Sequence, residues 1–192
     1  MCNLYSITTN QEAIIRLFRK VNRYVGNLAP MPGVFPDYPA PVIRNTDASD
    51  GWEIAMMRWG MPPPPRTGGP PVTNIRNTSS PHWRMWLRPE NRVLVPANSF
   101  AEYAPEPNPE TKKKDVVWFA LNEDRPLFAF AGIWTTFNGD RGTKSKPIPG
   151  RHRGSSNKGT HLCEGCFWDL LSHCRLSLRH RLRLCLLDPV IH

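Results

Sequence analysis

The chain has 192 residues and a mass of 21.9 kDa, room for one domain of ordinary size with at most a small appendage. No apolar run approaches the roughly 18 residues a spanning helix needs, which excludes a helical membrane protein, and 21 prolines exclude an all-helical bundle, because each removes a backbone donor and fixes φ. Lys and Arg outnumber Asp and Glu by 25 to 16, a net charge of +9, which suits a polyanionic partner such as nucleic acid.

The start, Met1-Cys2-Asn3-Leu4-Tyr5, lacks the basic and then apolar pattern of a secretory leader, so a soluble, cytoplasmic, monomeric protein with reduced thiols is expected. Thr9-Asn10-Gln11-Glu12 has the form of a capping box, and Ala13, Ile14, Leu17, Phe18 and Val21 recur at helical spacing. An amphipathic helix over 10–22 is predicted. Pro30 to Pro41 reads as an extended passage, and Trp52–Trp59 as a strand halted at Gly60 and by the prolines from Pro62 to Pro65. Ser80-Pro81 supplies a cap and a first-turn proline for a second helix that turns Trp83, Trp86 and Leu87 to one side. Arg92–Val95, Val116–Leu121 and Leu127–Trp134 are further strand candidates. The turn-rich Asn122-Glu123-Asp124-Arg125-Pro126 predicts an antiparallel hairpin between the last two. Strands joined by short turns, with only two helices, indicate an α+β fold rather than a doubly wound parallel sheet.

Composition changes abruptly after Gly150. Residues 151–192 hold four of the five cysteines and five of the six histidines, whereas the first 150 residues contain one of each, Cys2 and His82. Two units are therefore expected, residues 1–150 and a basic, Cys/His-rich tail.

Cys2 carries the chemical signal. A cysteine after the initiator methionine is small enough for Met1 to be removed, leaving a thiol and a free α-amine on adjacent carbons. That amine has a pKa near 8, against about 10.4 for lysine, so a larger share is neutral and nucleophilic at pH 7. It can condense with an aldehyde to an imine on which the thiolate closes a five-membered ring, or the thiol can attack an amide as an N-terminal nucleophile. An ordinary small residue at a frayed end is the plain alternative.

Several segments together resemble one family. Cys2 and Tyr5, Asn27-Leu28-Ala29-Pro30, Pro39-Ala40-Pro41-Val42, Arg58-Trp59-Gly60-Met61, Thr73-Asn74-Ile75-Arg76, Val93 to Tyr103, and Phe130-Ala131-Gly132-Ile133-Trp134 follow the ordered motifs of the SOS response-associated peptidase (SRAP) family. The resemblance covers about residues 1–150. It implies a mostly antiparallel, barrel-like sheet core with a few flanking helices, and no cofactor or metal. It also implies binding of single-stranded DNA and a thiazolidine cross-link from Cys2 to the ring-opened aldehyde of an abasic site, which shields the lesion. An autopeptidase activity that trims residues ahead of the cysteine is the family's other implied role. Asn74 carries over as the amide that positions Cys2 or the aldehyde, Glu102 as the acid/base group, and Arg76 and Arg84 as phosphate contacts. Lys112-Lys113-Lys114 is either an extension of that footprint or a solvated loop.

The sequence departs from the family pattern at Val93, where many members have cysteine, and at Thr78, where many have glutamate. Beyond Gly150 the family's Thr-Thr strand and its histidine before an Arg-Met-Pro stretch have no counterpart. His161 stands at about the right distance but lacks the flanking pattern. Cys163 and Cys166, with His173 and Cys174, have the residue types of a zinc site, yet the second pair is adjacent rather than spaced, which leaves a zinc-bearing binding module as one reading. The other is a non-native end: leucines alternating with arginines from Leu176 to Leu187 fit a GC-rich strand read out of frame. That second reading is the expectation for the tail.

Overall fold

A computed structural model describes residues 2–19, 21–23, 26–46, 51–64, 69–137, 157–162 and 185–187. Leu4–Ile7 forms β1, which lies between β3 (Met31–Val34) and β7 (Ser99–Tyr103), antiparallel to both. β8 (Val116–Ala120) and β11 (Cys185–Leu187) extend this first sheet beyond β7. The second sheet runs in the order β10 (Asn157–Leu162), β9 (Phe128–Phe137), β6 (Arg92–Ala97), β4 (Pro39–Asn45), β5 (Trp52–Trp59) and β2 (Val21–Arg23). β10 also runs parallel to β5, with Thr160 opposite Trp59, so the second sheet curls round as a half-barrel. The expected α+β fold with a mostly antiparallel, barrel-like core is what the chain adopts. Two short stretches of the tail, β10 and β11, pair with β9 and β8.

The inward faces of the two sheets share one core, containing Tyr5, Val34, Val42, Met57, Trp59, Val95, Phe100 and Phe130. Aromatic rings tie it across the gap. Tyr5 of β1 stands edge-on to Trp59 at 5.3 Å and to Phe130 at 6.1 Å, and Phe100 stacks on Phe119 at 5.3 Å. Such pairs add about 0.5–1.5 kcal/mol each beyond the area they bury. A second, smaller cluster joins Met61, Ile75, Trp83 and Ile133.

Local signals gave way to tertiary contacts in several places. The helix α1 spans only Gln11–Leu17, and its cap is Asn10, whose Oδ1 accepts from the Ala13 N–H at 2.9 Å. Thr9, the expected cap, bonds instead to Asn98. Val21 leaves the helical pattern because its backbone pairs with Trp52 as part of β2. No α-helix follows Ser80-Pro81. Short 3-10 turns at Arg84–Trp86 and Pro89–Asn91 take its place, because Pro89 forces Arg88 into an extended conformation (ψ 152°) and breaks the run.

Pro30 to Pro41 contains β3 and the start of β4, strands hidden by their prolines. Pro39 and Pro41 are tolerated because they pair with β5, while β6 joins β4 only at Ile43 and Arg44. The predicted hairpin of the Val116 and Phe128 strands does not form. β8 pairs with β7 and β9 with β6, so the Asn122–Pro126 turn crosses between the sheets.

Asn98 explains that crossing. It is buried between β6 and β7 and its N–H donates to the Ser6 carbonyl. Its Oδ1 accepts from the N–H groups of Thr8 (2.9 Å) and Thr9 (3.2 Å), and its Nδ2 donates to the Arg125 carbonyl at 2.9 Å. One side chain thus fastens the end of β1, the entry to α1 and the crossover turn. Asn98→Ala leaves these buried groups unpaired and should lower the urea-unfolding free energy by about 1–3 kcal/mol, the usual cost of a stranded buried partner; an unchanged urea midpoint would contradict this role.

Candidate active site

The interior position of β1 carries the residue ahead of it into the core. Cys2 is only 6% exposed and belongs to the main apolar cluster. Its thiol donates to the Leu4 carbonyl, with Sγ at 3.4 Å. Its own carbonyl accepts from Asn74 Nδ2 at 2.9 Å. Asn74 is delivered by a segment that leaves β5 at Gly60, forms a bridge between Met61 and Val72, and is held by the indole Nε1 of Trp59 donating to the Thr73 carbonyl at 3.0 Å. The same Asn74 amide also lies 3.1 Å from the Thr73 hydroxyl. Asn74 Oδ1 is buried and has no hydrogen-bond partner among the described residues, a costly arrangement for an acceptor.

Glu102 comes from the neighbouring strand. In β7 it lies two residues beyond Phe100, so strand alternation puts both on the inward face. Leu4 pairs with Ala101 in antiparallel register, which places the half-buried Glu102 at the Cys2 end of β1. Arg76 and Arg84 are both exposed. Each follows a residue of the second cluster, Ile75 and Trp83 respectively, so both guanidinium groups stem from the rim of one apolar patch. Cys2 and Asn74 are thus in direct contact, Glu102 is on the strand beside them, and the two arginines lie along the Asn74 segment and the turn packed against it.

The lysine run lies in the loop that follows Tyr103. Lys112, Lys113 and Lys114 are exposed in the loop between β7 and β8, with Lys114 Nζ donating to the Pro105 carbonyl at 2.7 Å. Cys163, Cys166, His173 and Cys174 lie outside the described residues. The backbone of His161 pairs with Ile133 in β10. Among the described residues no three His, Cys, Asp or Glu side chains gather as a metal site.

Sequence reading passed over Tyr5 and Trp59 as parts of the site. Their rings brace each other, and the phenol of Tyr5 is pushed above its ordinary range, first by burial and then by the charge of Cys2. Tyr5 is therefore a neutral phenol beside Cys2. The only sequence signal for this was the pair of apolar aromatics at family positions, which does not distinguish core from site.

Comparison with known proteins follows the same outline. The family profile described as SOS response associated peptidase (SRAP) matches residues 1–148. Among solved structures, a phage-related protein of Bordetella bronchiseptica is similar with a TM-score of 0.58 at 17% identity, over 84% of this chain and 68% of that one. A second Bordetella bronchiseptica protein gives 0.57 at 18% identity, over 84% and 71%. A Bacteroides thetaiotaomicron protein gives 0.57 at 16%, over 98% and 78%. At such identities the likeness is one of fold. No curated protein matches the chain.

Two outcomes follow from the geometry. Because the folded state holds Tyr5 protonated, its contribution is fully present below the unfolded pKa of about 10 and is lost as pH rises beyond it. Denaturation series should show stability falling by up to about 1.4 kcal/mol per pH unit above that point, a component that Tyr5→Phe removes. Asn74→Ala should release the Cys2 carbonyl and speed alkylation of Cys2, followed by mass spectrometry of the N-terminal peptide, by about tenfold, the equivalent of one lost hydrogen bond of roughly 1–1.5 kcal/mol; an unchanged rate would mean the clamp does not hold Cys2 in place.

Proposed function

The chain belongs to the SOS response associated peptidase family, and from that membership we propose that it captures abasic sites in single-stranded DNA through Cys2. Membership itself carries a DNA-damage-associated role and a DNA-related partner. The observation that carries the finer reading is the clamp on Cys2: its carbonyl is held, in the core, by an amide 72 positions away. A backbone fixed in this way keeps the thiol and the adjoining nitrogen in one place, which favours a reaction of Cys2 itself.

With Met1 removed, the α-amine of Cys2 adds to the C1 aldehyde of the opened deoxyribose. The carbinolamine loses water to give an imine, and Sγ adds to the imine carbon while the nitrogen takes up a proton. The net change is one thiazolidine formed and one water released, with no oxidant or reductant. Glu102 is the group that donates the proton to the departing hydroxyl and takes one from the amine. Asn74 positions Cys2 through Nδ2 and offers Oδ1 as an acceptor for the amine. Residues 151–192 carry no counterpart of the family's histidine stretch, so in this reading the proton transfers fall to Glu102. Arg76 and Arg84 pair with phosphates on either side, where guanidinium geometry suits bidentate contact.

A second reading is favoured by the family's own description as a peptidase: Cys2 Sγ attacks a peptide carbonyl as an N-terminal nucleophile. An oligonucleotide bearing one abasic site separates the two. The protein should lack Met1 by intact mass and give a heat-stable band on a denaturing gel, lighter than the sum of its parts by one water. Cys2→Ala abolishes that band, and Cys2→Ser leaves at most a heat-labile one. Glu102→Gln slows its formation by roughly 10²–10⁴-fold with DNA binding retained. Arg76→Ala weakens binding and lowers its salt dependence by about one counterion. Peptide turnover by Cys2 without any DNA band would replace the first reading with the second.

A further inference from the structure

Resting on the reading that the partner is single-stranded DNA, we propose that the turn Phe35-Pro36-Asp37-Tyr38 is a base-stacking platform beside Cys2, receiving an unpaired base adjacent to the lesion. The turn joins β3 of the first sheet to β4 of the second. Val34 stands opposite Tyr5, so antiparallel β3 leaves the sheet at the Cys2 end of β1 and the turn follows at once. Two large aromatic side chains stay outside: Phe35 is 46% exposed and Tyr38 51%. Their rings meet edge to face, with centroids 5.6 Å apart.

The backbone beneath these rings is held from several directions. The Tyr38 N–H donates to the Phe35 carbonyl at 3.0 Å, the Asp37 N–H to the Trp59 carbonyl at 2.7 Å, and the Trp59 N–H to the Tyr38 carbonyl at 3.0 Å. Arg58 donates to the Asp37 carbonyl at 2.7 Å and lies 3.6 Å from its carboxylate. Asp37 is kept at φ 69°, a left-handed conformation that persists in a non-glycine residue where the surroundings over-determine it. Phe35 also needs the glycine before it: a Cβ at Gly33 would come within 3.3 Å of the Phe35 ring and 3.6 Å of Leu4.

The same hydrogen bonds lead to the nucleophile. Trp59 holds the turn through its backbone and the Thr73 carbonyl through its indole, and the next residue, Asn74, holds the Cys2 carbonyl. Platform and nucleophile therefore sit on one frame. Exposed π faces on a pre-set turn match what base stacking requires, since every base offers a face whatever its sequence. Charge favours the strand as occupant over a neutral apolar partner, because the chain carries +9.

The test uses the full chain and a single-stranded 12-nucleotide probe carrying 2-aminopurine next to a tetrahydrofuran abasic analogue, which has no aldehyde and cannot cross-link. Wild type should quench the 2-aminopurine. Phe35→Ala with Tyr38→Ala should abolish the quench and weaken binding about tenfold or more, with the salt dependence unchanged because no phosphate contact is lost. Tyr38→Phe should preserve both. Phe35→Leu with Tyr38→Leu, which keeps apolar bulk without a π face, should also lose the quench, so a fold defect in the alanine variant does not decide the matter. Wild-type quenching in the leucine variant overturns the platform while leaving cross-linking from Cys2 standing. So does a ring variant that loses only self-association. A wild-type protein that neither binds nor cross-links single-stranded DNA overturns both readings.

Discussion

The pairing of β1 on both sides buries Cys2, and the arrangement of the neighbouring segments follows from how that strand is held. β1 is four residues long, too short to be stable at an edge, yet it is paired on both sides by β3 and β7. Tyr5 drives its ring into the aromatic seam between the sheets. With the strand anchored two residues on, Cys2 has little freedom left, and the Asn74 amide removes more by binding its carbonyl. The cost of ordering Cys2 is thus met during folding.

Trp59 is the second point of convergence. Its ring meets Tyr5, its indole N–H meets Thr73, and its backbone meets both Asp37 and Tyr38. Three segments distant in sequence thus meet at the last residue of β5. The break in regular structure after it, at Gly60, lets the following chain turn back beside Cys2 and carry Asn74 in. The prolines of this segment supply stiffness at low entropic cost, which suits a loop that must place one side chain accurately.

Arginines sit in two kinds of surroundings. Arg44 is nearly buried in the second sheet, bonded to Glu53 at 2.6 Å and lying over the Trp134 ring at 4.5 Å. It is a structural cation, neutralised where it stands. Arg76 and Arg84 are exposed at the rim of the small cluster built on Ile75 and Trp83. The net charge of +9 counts both kinds alike.

The family, the α+β class and the existence of β5, β6, β8 and β9 were legible in the residues themselves, and the family resemblance added Asn74 and Glu102 to Cys2 as candidates. Alternation, turn signals and ordered motifs are local, and a linear sequence records them fully. What the sequence left open depended on distant partners. Thr9 looked like a helix cap until Asn98, 89 positions later, claimed it. β3 and β4 were masked by prolines whose missing donors matter only once it is known which neighbours they face. The turn at Asn122–Pro126 was read correctly as a turn but joined strands of different sheets, because the Arg125 carbonyl bonds Asn98. Above all, the sequence marked Cys2 and Asn74 as separate candidates. Only the folding of β1 between two strands, with Trp59 drawing the Asn74 segment alongside, put the two within one hydrogen bond of each other.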